Sequence, residues 1–384
     1  MNKSYNPLFE PLLFNKGVKL KNRLIMAPMT NWSSNPDGTV SDEELEYYDH
    51  RTKGVSMVIT ACANVTPNGK GFSGEVAVDR DEMITSLSKL AKVIKDNGAK
   101  AVLQIYHGGR LCPPELVPNG DIVSASAVPA EFTSRGADLE LAKTPRALEN
   151  FEIEDIIRAF GEATHRAIRA GFDGVEIHGA NRYLIHQFFS PHSNRRTDKW
   201  GGTLEKRMSF PLAVLDEVLK TVDLYAKRPF LVGYRFSPEE RETPGFTMKD
   251  TLMLVDSLLD RQLDYLHVSL LNFWSKPRRG VNQSLSRIEW ILKRVNNRVP
   301  VIGVGLIRTP DEALKAYKTS VSAVAMGREL IIEPDWVEKL ANGRESEIQT
   351  TLTINDRERL VITKPLWKMM LSRPGWFPFV DKDE

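Results

Sequence analysis

The sequence predicts a protein of α/β class, a single (β/α)8 TIM barrel, on three observations. Short apolar runs alternate with amphipathic segments along the chain, eight of those runs have strand character, and no Gly-, Pro- or Ser-rich linker splits the chain in two. With 384 residues, 41% hydrophobic and 27% charged, the chain is long enough for one large barrel or for two smaller domains. A doubly wound sheet with a second domain is the alternative that the same alternation allows.

The strands are expected at residues 24–26, 57–60, 101–105, 174–178, 230–236, 265–268, 301–304 and 321–325. Helices are clearest at 154–170, 204–221, 248–261 and 286–295, where apolar residues return every three or four positions. Gly171 sits just past one helix, and Thr309-Pro310-Asp311 opens another. Residues 106–151 and 179–203 are too long to be plain connections, which puts long loops after strands 3 and 4 on the catalytic face, as a lid or a substrate wall. Residues 1–341 form the barrel. Residues 342–384 form a C-terminal extension, charged as far as Ile362 and carrying Trp367, Trp376, Phe377 and Phe379, that packs on the barrel or on a neighbouring subunit.

Charge and cysteine usage narrow the function. Lys and Arg number 52 against 50 Asp and Glu, a net charge of +2 without a long run of one sign, which argues against nucleic acid and anionic membrane as partners. Two cysteines, Cys62 and Cys112, are too few for a disulfide framework or a cysteine-ligated iron-sulfur cluster, and no metal is expected. The N-terminus lacks a basic-then-apolar secretory pattern, and no segment approaches the roughly twenty apolar residues of a membrane span. The expectation is a soluble, cytoplasmic protein.

Three groups of residues carry chemistry. In GVEIHGANRYLIHQFFSPHSNRRTDKWGG, residues 174–202, an apolar strand breaks into a polar, aromatic segment, which makes His178, Asn181 and Tyr183 site candidates at a strand end. Gly303-Val304-Gly305 follows strand 7 and Met326-Gly327-Arg328 follows strand 8, so backbone N–H groups and a guanidinium meet where a barrel holds phosphate. Thr30, Gln104 and Arg235 put polar groups where packing favours apolar ones. Thr30 or Gln104 taken singly is equally a core polar residue satisfied by backbone, whereas an unpaired Arg on a barrel strand is costly. A large, flat, hydrogen-bonding ligand with an anionic part would satisfy all of them.

Four blocks, Asn22-Arg23 through Ala27-Pro28-Met29-Thr30, Gln104-Ile105-Tyr106-His107-Gly108-Gly109-Arg110, residues 178–202, and Gly303-Val304-Gly305 with Gly327-Arg328, resemble the old yellow enzyme family, in its shorter bacterial branch. The match runs from Leu8 to Trp336. The resemblance implies an FMN-dependent ene-reductase that takes hydride from NADH or NADPH and reduces an activated C=C bond, as in α,β-unsaturated carbonyl compounds. It also implies roles. Pro28, Met29, Thr30 and Ala61 pack on the isoalloxazine, Gln104 pairs with its pyrimidine edge, and Arg235 lies by N1 and C2=O. Gly303, Gly305, Gly327 and Arg328 hold the phosphate. His178 and Asn181 bind the substrate's electron-withdrawing oxygen, Tyr183 donates the proton, and Trp32 is a substrate wall. Arg373-Pro374-Gly375-Trp376 resembles an ending with which some members insert an arginine into a neighbour's active site, so Arg373 becomes a substrate-binding candidate and a homo-oligomer is expected.

There are departures. Thr30 stands where bacterial members often have Cys, and Asn181 where many have His. Relatives that reduce dienoyl-CoA thioesters or oxidise amines carry a cysteine cluster and a second nucleotide-binding domain after the barrel; with neither expected here, a flavin-only dienoyl-thioester reductase is the variant left open. A non-flavin barrel enzyme acting on a phosphorylated substrate is a second alternative, but no strand end offers a Schiff-base lysine. A flavin-binding module without turnover is a third.

Overall fold

The structure, a computed structural model, describes residues 2–132 and 142–381; residues 133–141 of the predicted long loop, Met1 and residues 382–384 lie outside the described residues. Eight parallel strands, β1 (Leu24–Met26), β2 (Met57–Asn64), β3 (Lys100–Tyr106), β4 (Gly174–Gly179), β5 (Leu231–Phe236), β6 (Tyr265–Val268), β7 (Val301–Val304) and β8 (Ala323–Met326), pair in sequence order, and β8 pairs with β1 to close the barrel. The eight predicted strands are these eight. The doubly wound alternative is set aside by the closure.

Helices α1 (Asp42–Arg51), α2 (Met83–Asp96), α3 (Asn150–Arg169), α4 (Leu204–Tyr225), α5 (Met248–Leu259), α6 (Arg287–Val295), α7 (Pro310–Tyr317) and α8 (Trp336–Ala341) follow the strands in turn. Reciprocal caps start four of them: Glu149 with Glu152, Thr247 with Asp250, Ser286 with Glu289, and Thr309 with Glu312, the last with Pro310 in the first turn. Helix α3 begins earlier than its apolar period suggested, because Glu149 and Glu152 cap each other and add a turn.

Strand β2 runs on to Asn64, past the predicted end at residue 60, through a bulge. Ile59 pairs with Val102 but Cys62 with Gln104, so β2 carries one residue more than β3 between those pairs. The extra residue breaks the alternation that marks a strand in sequence, and it re-aims the side chains beyond it.

The barrel interior holds Ile25, Met57, Ile59, Val102, Leu231 and Ile302, while a larger apolar layer lies between strands and helices. A short N-terminal hairpin, Leu12–Leu13 with Lys19–Leu20, joins the interior cluster. Its Phe14 ring lies 6.0 Å from Tyr265, and Lys16 Nζ is 3.1 Å from Asp264, the residue just before β6. The hairpin therefore stops the amino-terminal mouth of the barrel.

Because every strand is parallel, the long segments after β3 and β4 leave the barrel at its other end. The segment after β4 is not all loop: Leu184–Phe189 is a short buried helix, hidden in sequence by its polar surroundings. The tail carries a further helix, α9 (Lys364–Leu371), and Leu366, Trp367, Met370 and Phe377 pack into the outer core. Among the described residues no helix is long and apolar enough to cross a membrane.

Candidate active site

At the top of β4 the backbone turns sharply. His178 is the last residue but one of the strand, and Asn181 and Arg182 both take left-handed conformations, with φ of 57° and 66°. Asn tolerates that region; Arg does so at a cost of order 1 kcal/mol or more. The turn is held from outside: Arg182 Nε donates to Glu242 Oε1 at 2.8 Å, and Gln187 Nε2 donates to the Arg182 carbonyl at 2.7 Å. It delivers Tyr183 to the start of the short helix, with its ring edge-on to His178 at 5.0 Å.

His178 is buried, and its Nδ1 accepts the Ala180 N–H at 3.2 Å, so the ring proton sits on Nε2. Burial first, and then the Arg235 cation, hold its pKa well below the ordinary histidine value. At neutral pH His178 is thus an uncharged ring with one N–H to donate. Asn181 is fixed differently. Its N–H donates to Ser237 Oγ at 3.0 Å, and its Oδ1 accepts from Ser269 Oγ at 3.0 Å, which leaves the amide nitrogen as the end available to a ligand. Ser269 in turn accepts from Arg235 Nη2 at 3.2 Å.

Below this level lies a buried polar layer. Gln104 Nε2 donates to Glu176 Oε1 at 2.7 Å, and Glu176 Oε2 lies 2.9 Å from His267 Nδ1. Burial raises the Glu176 pKa, but His267, Arg235 and Gln104 together more than offset this and keep the carboxylate ionised. Burial depresses His267, which leaves it a neutral donor to Glu176 with no partner at Nε2. Arg235 sits beside His178 and His267 in register, and its buried Nε has no partner either. Sequence reading singled out Gln104 and Arg235 here and missed Glu176 and His267, although a Glu and a His inside apolar strand runs were the same kind of signal.

Across the barrel, Pro28, Met29 and Thr30 are half-buried just past β1, and Ala61, inside the bulge, donates its N–H to Tyr48 Oη at 2.8 Å. A side chain on Gly327 would come within 2.8 Å of Met29 Sδ, so that glycine admits Met29. A shallow cleft runs past the ends of β7 and β8, lined among others by Gly305, Arg308, Gly327, Arg328 and Pro378. Gly305 has φ of 146°, a conformation that favours glycine. Gly303 does not line the cleft; it makes room for the Phe273 ring, which a Cβ would meet at 2.5 Å. Arg308 is a second cation in the cleft, missed because it lies five residues beyond Gly303 and outside any motif.

Arg328 is engaged by the tail, donating from Nη1 to the Trp376 carbonyl at 2.7 Å. The tail also reaches Trp32. The Trp376 ring stands edge-on to it at 6.0 Å, and the Arg373 guanidinium lies 5.3 Å from the Trp32 ring and 5.5 Å from Trp376. Trp32, Phe72, Trp376 and Arg373 thus form one cluster, with Trp32 and Phe72 6.1 Å apart. Tyr106, which the sequence alone does not single out, packs edge-on to Tyr183 at 4.7 Å.

Unpartnered Arg235 and His267 nitrogens, a Gln104 carbonyl oxygen free to accept, a half-buried Pro28–Met29–Thr30 face and a glycine-lined cleft with two arginines fit one planar hydrogen-bonding ring system joined to a phosphate. Fold and site together define a flavin-dependent barrel oxidoreductase. Comparison with known proteins gives the family. Residues 7–347 match the model of the NADH:flavin oxidoreductase / NADH oxidase family. The chain is 51% identical over 381 residues to the "Probable NADH-dependent flavin oxidoreductase YqiG" of Bacillus subtilis (strain 168), covering 99% of this chain and all of that one. It is 42% identical to the NADH:fumarate oxidoreductase of Klebsiella pneumoniae (strain 342), covering 95% of this chain but 39% of that longer protein. Among solved structures, morphinone reductase in complex with tetrahydroNAD superposes with a TM-score of 0.76 at 28% identity, over 98% of both chains. The chain belongs to the NADH:flavin oxidoreductase / NADH oxidase family, and it is an NAD(P)H-dependent flavin oxidoreductase whose cofactor is FMN.

Proposed function

We propose that this chain reduces the activated C=C bond of α,β-unsaturated carbonyl and related compounds. The observation that carries the reading is the pair of donors at the end of β4: a neutral His178 with its proton on Nε2, and Asn181 with its oxygen bound and its nitrogen turned free. Two neutral N–H donors at one strand end suit an oxygen that gains negative charge during reaction. FMN, when bound, supplies a hydride that comes from NADH or NADPH and goes to the β carbon of the alkene. His178 and Asn181 bind the carbonyl oxygen and hold the enolate charge that develops there. Tyr183 gives its phenolic proton to the α carbon.

The remaining assignments belong to the same reading. Arg235 presents its guanidinium to the pyrimidine side of the ring system, Gln104 offers Oε1, and Pro28, Met29, Thr30 and Ala61 pack against it. Gly305, Gly327 and Arg328, joined by Arg308, hold the phosphate. Trp32 and Arg373 close the substrate pocket on the tail side, and the exposed face of that tail is where a second copy of the chain would contribute in a homo-oligomer. The relatives named for fumarate and acrylate, both unsaturated acids, extend the candidate substrates to alkenoic acids.

The test is direct. Anaerobic purified protein, yellow from bound flavin, is bleached with NADH or NADPH and mixed with a panel of enones, enals, nitroalkenes, maleimides and alkenoic acids. Return of colour matched by loss of the alkene supports the reading; colour that returns only with oxygen ends it.

A further inference from the structure

Glu75 is a buried carboxyl that the reaction above leaves without a task. It sits before the bridge between Asn64 and Ala77, on the segment between β2 and α2, and it is 1% exposed. Its Oε2 gathers three donors: Tyr106 Oη at 2.6 Å, the Gly71 N–H at 2.8 Å and the Phe72 N–H at 3.1 Å. Its Oε1 is buried with no partner.

Each contact leads to a wall of the pocket. Tyr106 is the last residue of β3, and its ring packs on Tyr183 at 4.7 Å and near His178 at 6.0 Å. Cys62, Phe72 and Leu111 complete the apolar cluster around the two tyrosines. Phe72, on the other side, meets Trp32, and Trp32 carries Trp376 and Arg373 of the tail. The clasp is closely built: a side chain on Gly71 would come within 2.5 Å of Tyr106 Oη, so only glycine lets the loop close over the phenol.

We propose that Glu75 is a positioning residue for the proton-donating side of the site, acting through Tyr106 to fix the Tyr183 and His178 rings and through Phe72 to fix the Trp32 wall. The proposal rests on the assignment of Tyr183 as proton donor. Glu75 acts in its uncharged form. Burial pushes its pKa up to about 8, against weaker opposing pulls from Tyr106, the Gly71 and Phe72 N–H groups and Lys70. The other titratable groups facing it, Cys62 and Cys112, are themselves held uncharged by burial, as is Tyr106. Ionisation of Glu75 therefore places a buried negative charge behind Tyr106 and the Tyr183 phenol that must protonate the enolate, and the rate falls.

The experiment is the enone-driven reoxidation rate of the NADH-bleached holoenzyme, measured from pH 6 to pH 9.5 in the parent, Glu75→Gln, Glu75→Leu and Tyr106→Phe. The parent should lose roughly tenfold between pH 7 and a point one unit above the Glu75 pKa. Glu75→Leu and Tyr106→Phe should be at least about tenfold slower with an enone at every pH, with bleaching by NADH, which uses His178 but no proton from Tyr183, slowed less. Glu75→Gln, which keeps the acceptor and cannot ionise, should restore most of that rate and remove the alkaline fall. An alkaline fall that persists in Glu75→Gln overturns the proposal, as does enone reduction at the parent rate in Tyr106→Phe, which stands in should Glu75→Leu fail to fold. Tyr183→Phe separates the two ideas: if it is slow while Tyr106→Phe is not, only the Glu75 proposal fails, and if it matches the parent, the donor assignment fails first.

Discussion

Ser269 Oγ donates to Asn181 Oδ1 at 3.0 Å while accepting from Arg235 Nη2 at 3.2 Å, so one hydroxyl orients the Asn181 amide and holds the buried Arg235 guanidinium. Ser269→Ala removes both bonds, the neutral one to Asn181 worth about 0.5–1.5 kcal/mol and the one from the Arg235 cation about 1.5–3 kcal/mol. Enone kcat/KM should fall about three- to tenfold as the Asn181 amide loses its orientation. Steady-state kinetics alongside flavin absorbance check this; flavin content should stay near that of the parent, because Arg235 itself is intact.

Tyr183→Phe should separate the two halves of turnover. No proton from Tyr183 is needed while the nicotinamide delivers hydride, so anaerobic bleaching should run near the parent rate. Reoxidation by an enone needs the proton and should slow by about 10²- to 10⁴-fold, the worth of a positioned general acid. Reoxidation by oxygen should be unaffected. His178→Ala should slow both halves, since nicotinamide amide and enone oxygen would use the same N–H. Stopped-flow absorbance resolves all three rates.

Arg328→Ala should lose flavin during dialysis. The guanidinium lines the cleft past β7 and β8, and a charge-assisted contact to phosphate is worth about 1.5–3 kcal/mol, or roughly 10- to 150-fold in affinity. Because Arg328 also donates to the Trp376 carbonyl at 2.7 Å, the same change should loosen the tail and make the bond after Trp376 more open to protease. Flavin fluorescence in the dialysate and limited chymotrypsin cleavage read the two effects separately.

Stability should fall on mild acidification, with His107 a main cause. Burial pushes its pKa down to about 3 from the ordinary value of 6.5, with Nδ1 accepting the Gly109 N–H at 3.0 Å. Above about pH 6.5 neither folded nor unfolded chain protonates it, and its full contribution is present. As the pH drops through the window from 6.5 toward 3 the unfolded chain takes up a proton that the folded chain refuses, so stability is lost progressively. Between pH 7 and pH 5 the loss from this one group is about 2 kcal/mol. Urea titrations at the two pH values should show it, and His107→Gln should lose correspondingly less on acidification.

Much of this protein is readable from residue order, for identifiable reasons. Strands buried on both faces leave plain apolar runs, and caps such as Thr309-Pro310-Asp311 mark helix starts locally. His178, Asn181, Tyr183, Gln104 and Arg235 stood out as polar groups at strand ends, where packing alone gives no reason for them. What sequence could not show depends on pairing across the fold. The bulge between Ile59 and Cys62 exists only relative to β3. Glu75 and Tyr106 are 31 residues apart in sequence and look like an ordinary loop acid and an ordinary strand aromatic until 2.6 Å separates their oxygens. Arg308 lines the cleft past β7 and β8 from the short segment before α7, and the helix Leu184–Phe189 is short enough for its polar flanks to mask it.

The N-terminal hairpin, with Phe14 against Tyr265 and Lys16 on Asp264, has a consequence for the order of events in turnover. With that end stoppered and the interior filled by Ile25, Met57, Val102 and their neighbours, the opposite mouth is the end left for reactants. On the proposed site nicotinamide and alkene both use the His178 N–H, so the two reactants should take turns rather than share a ternary complex. Double-reciprocal plots of rate against NADH at several alkene concentrations should accordingly be parallel lines, and each reactant at high concentration should inhibit competitively against the other.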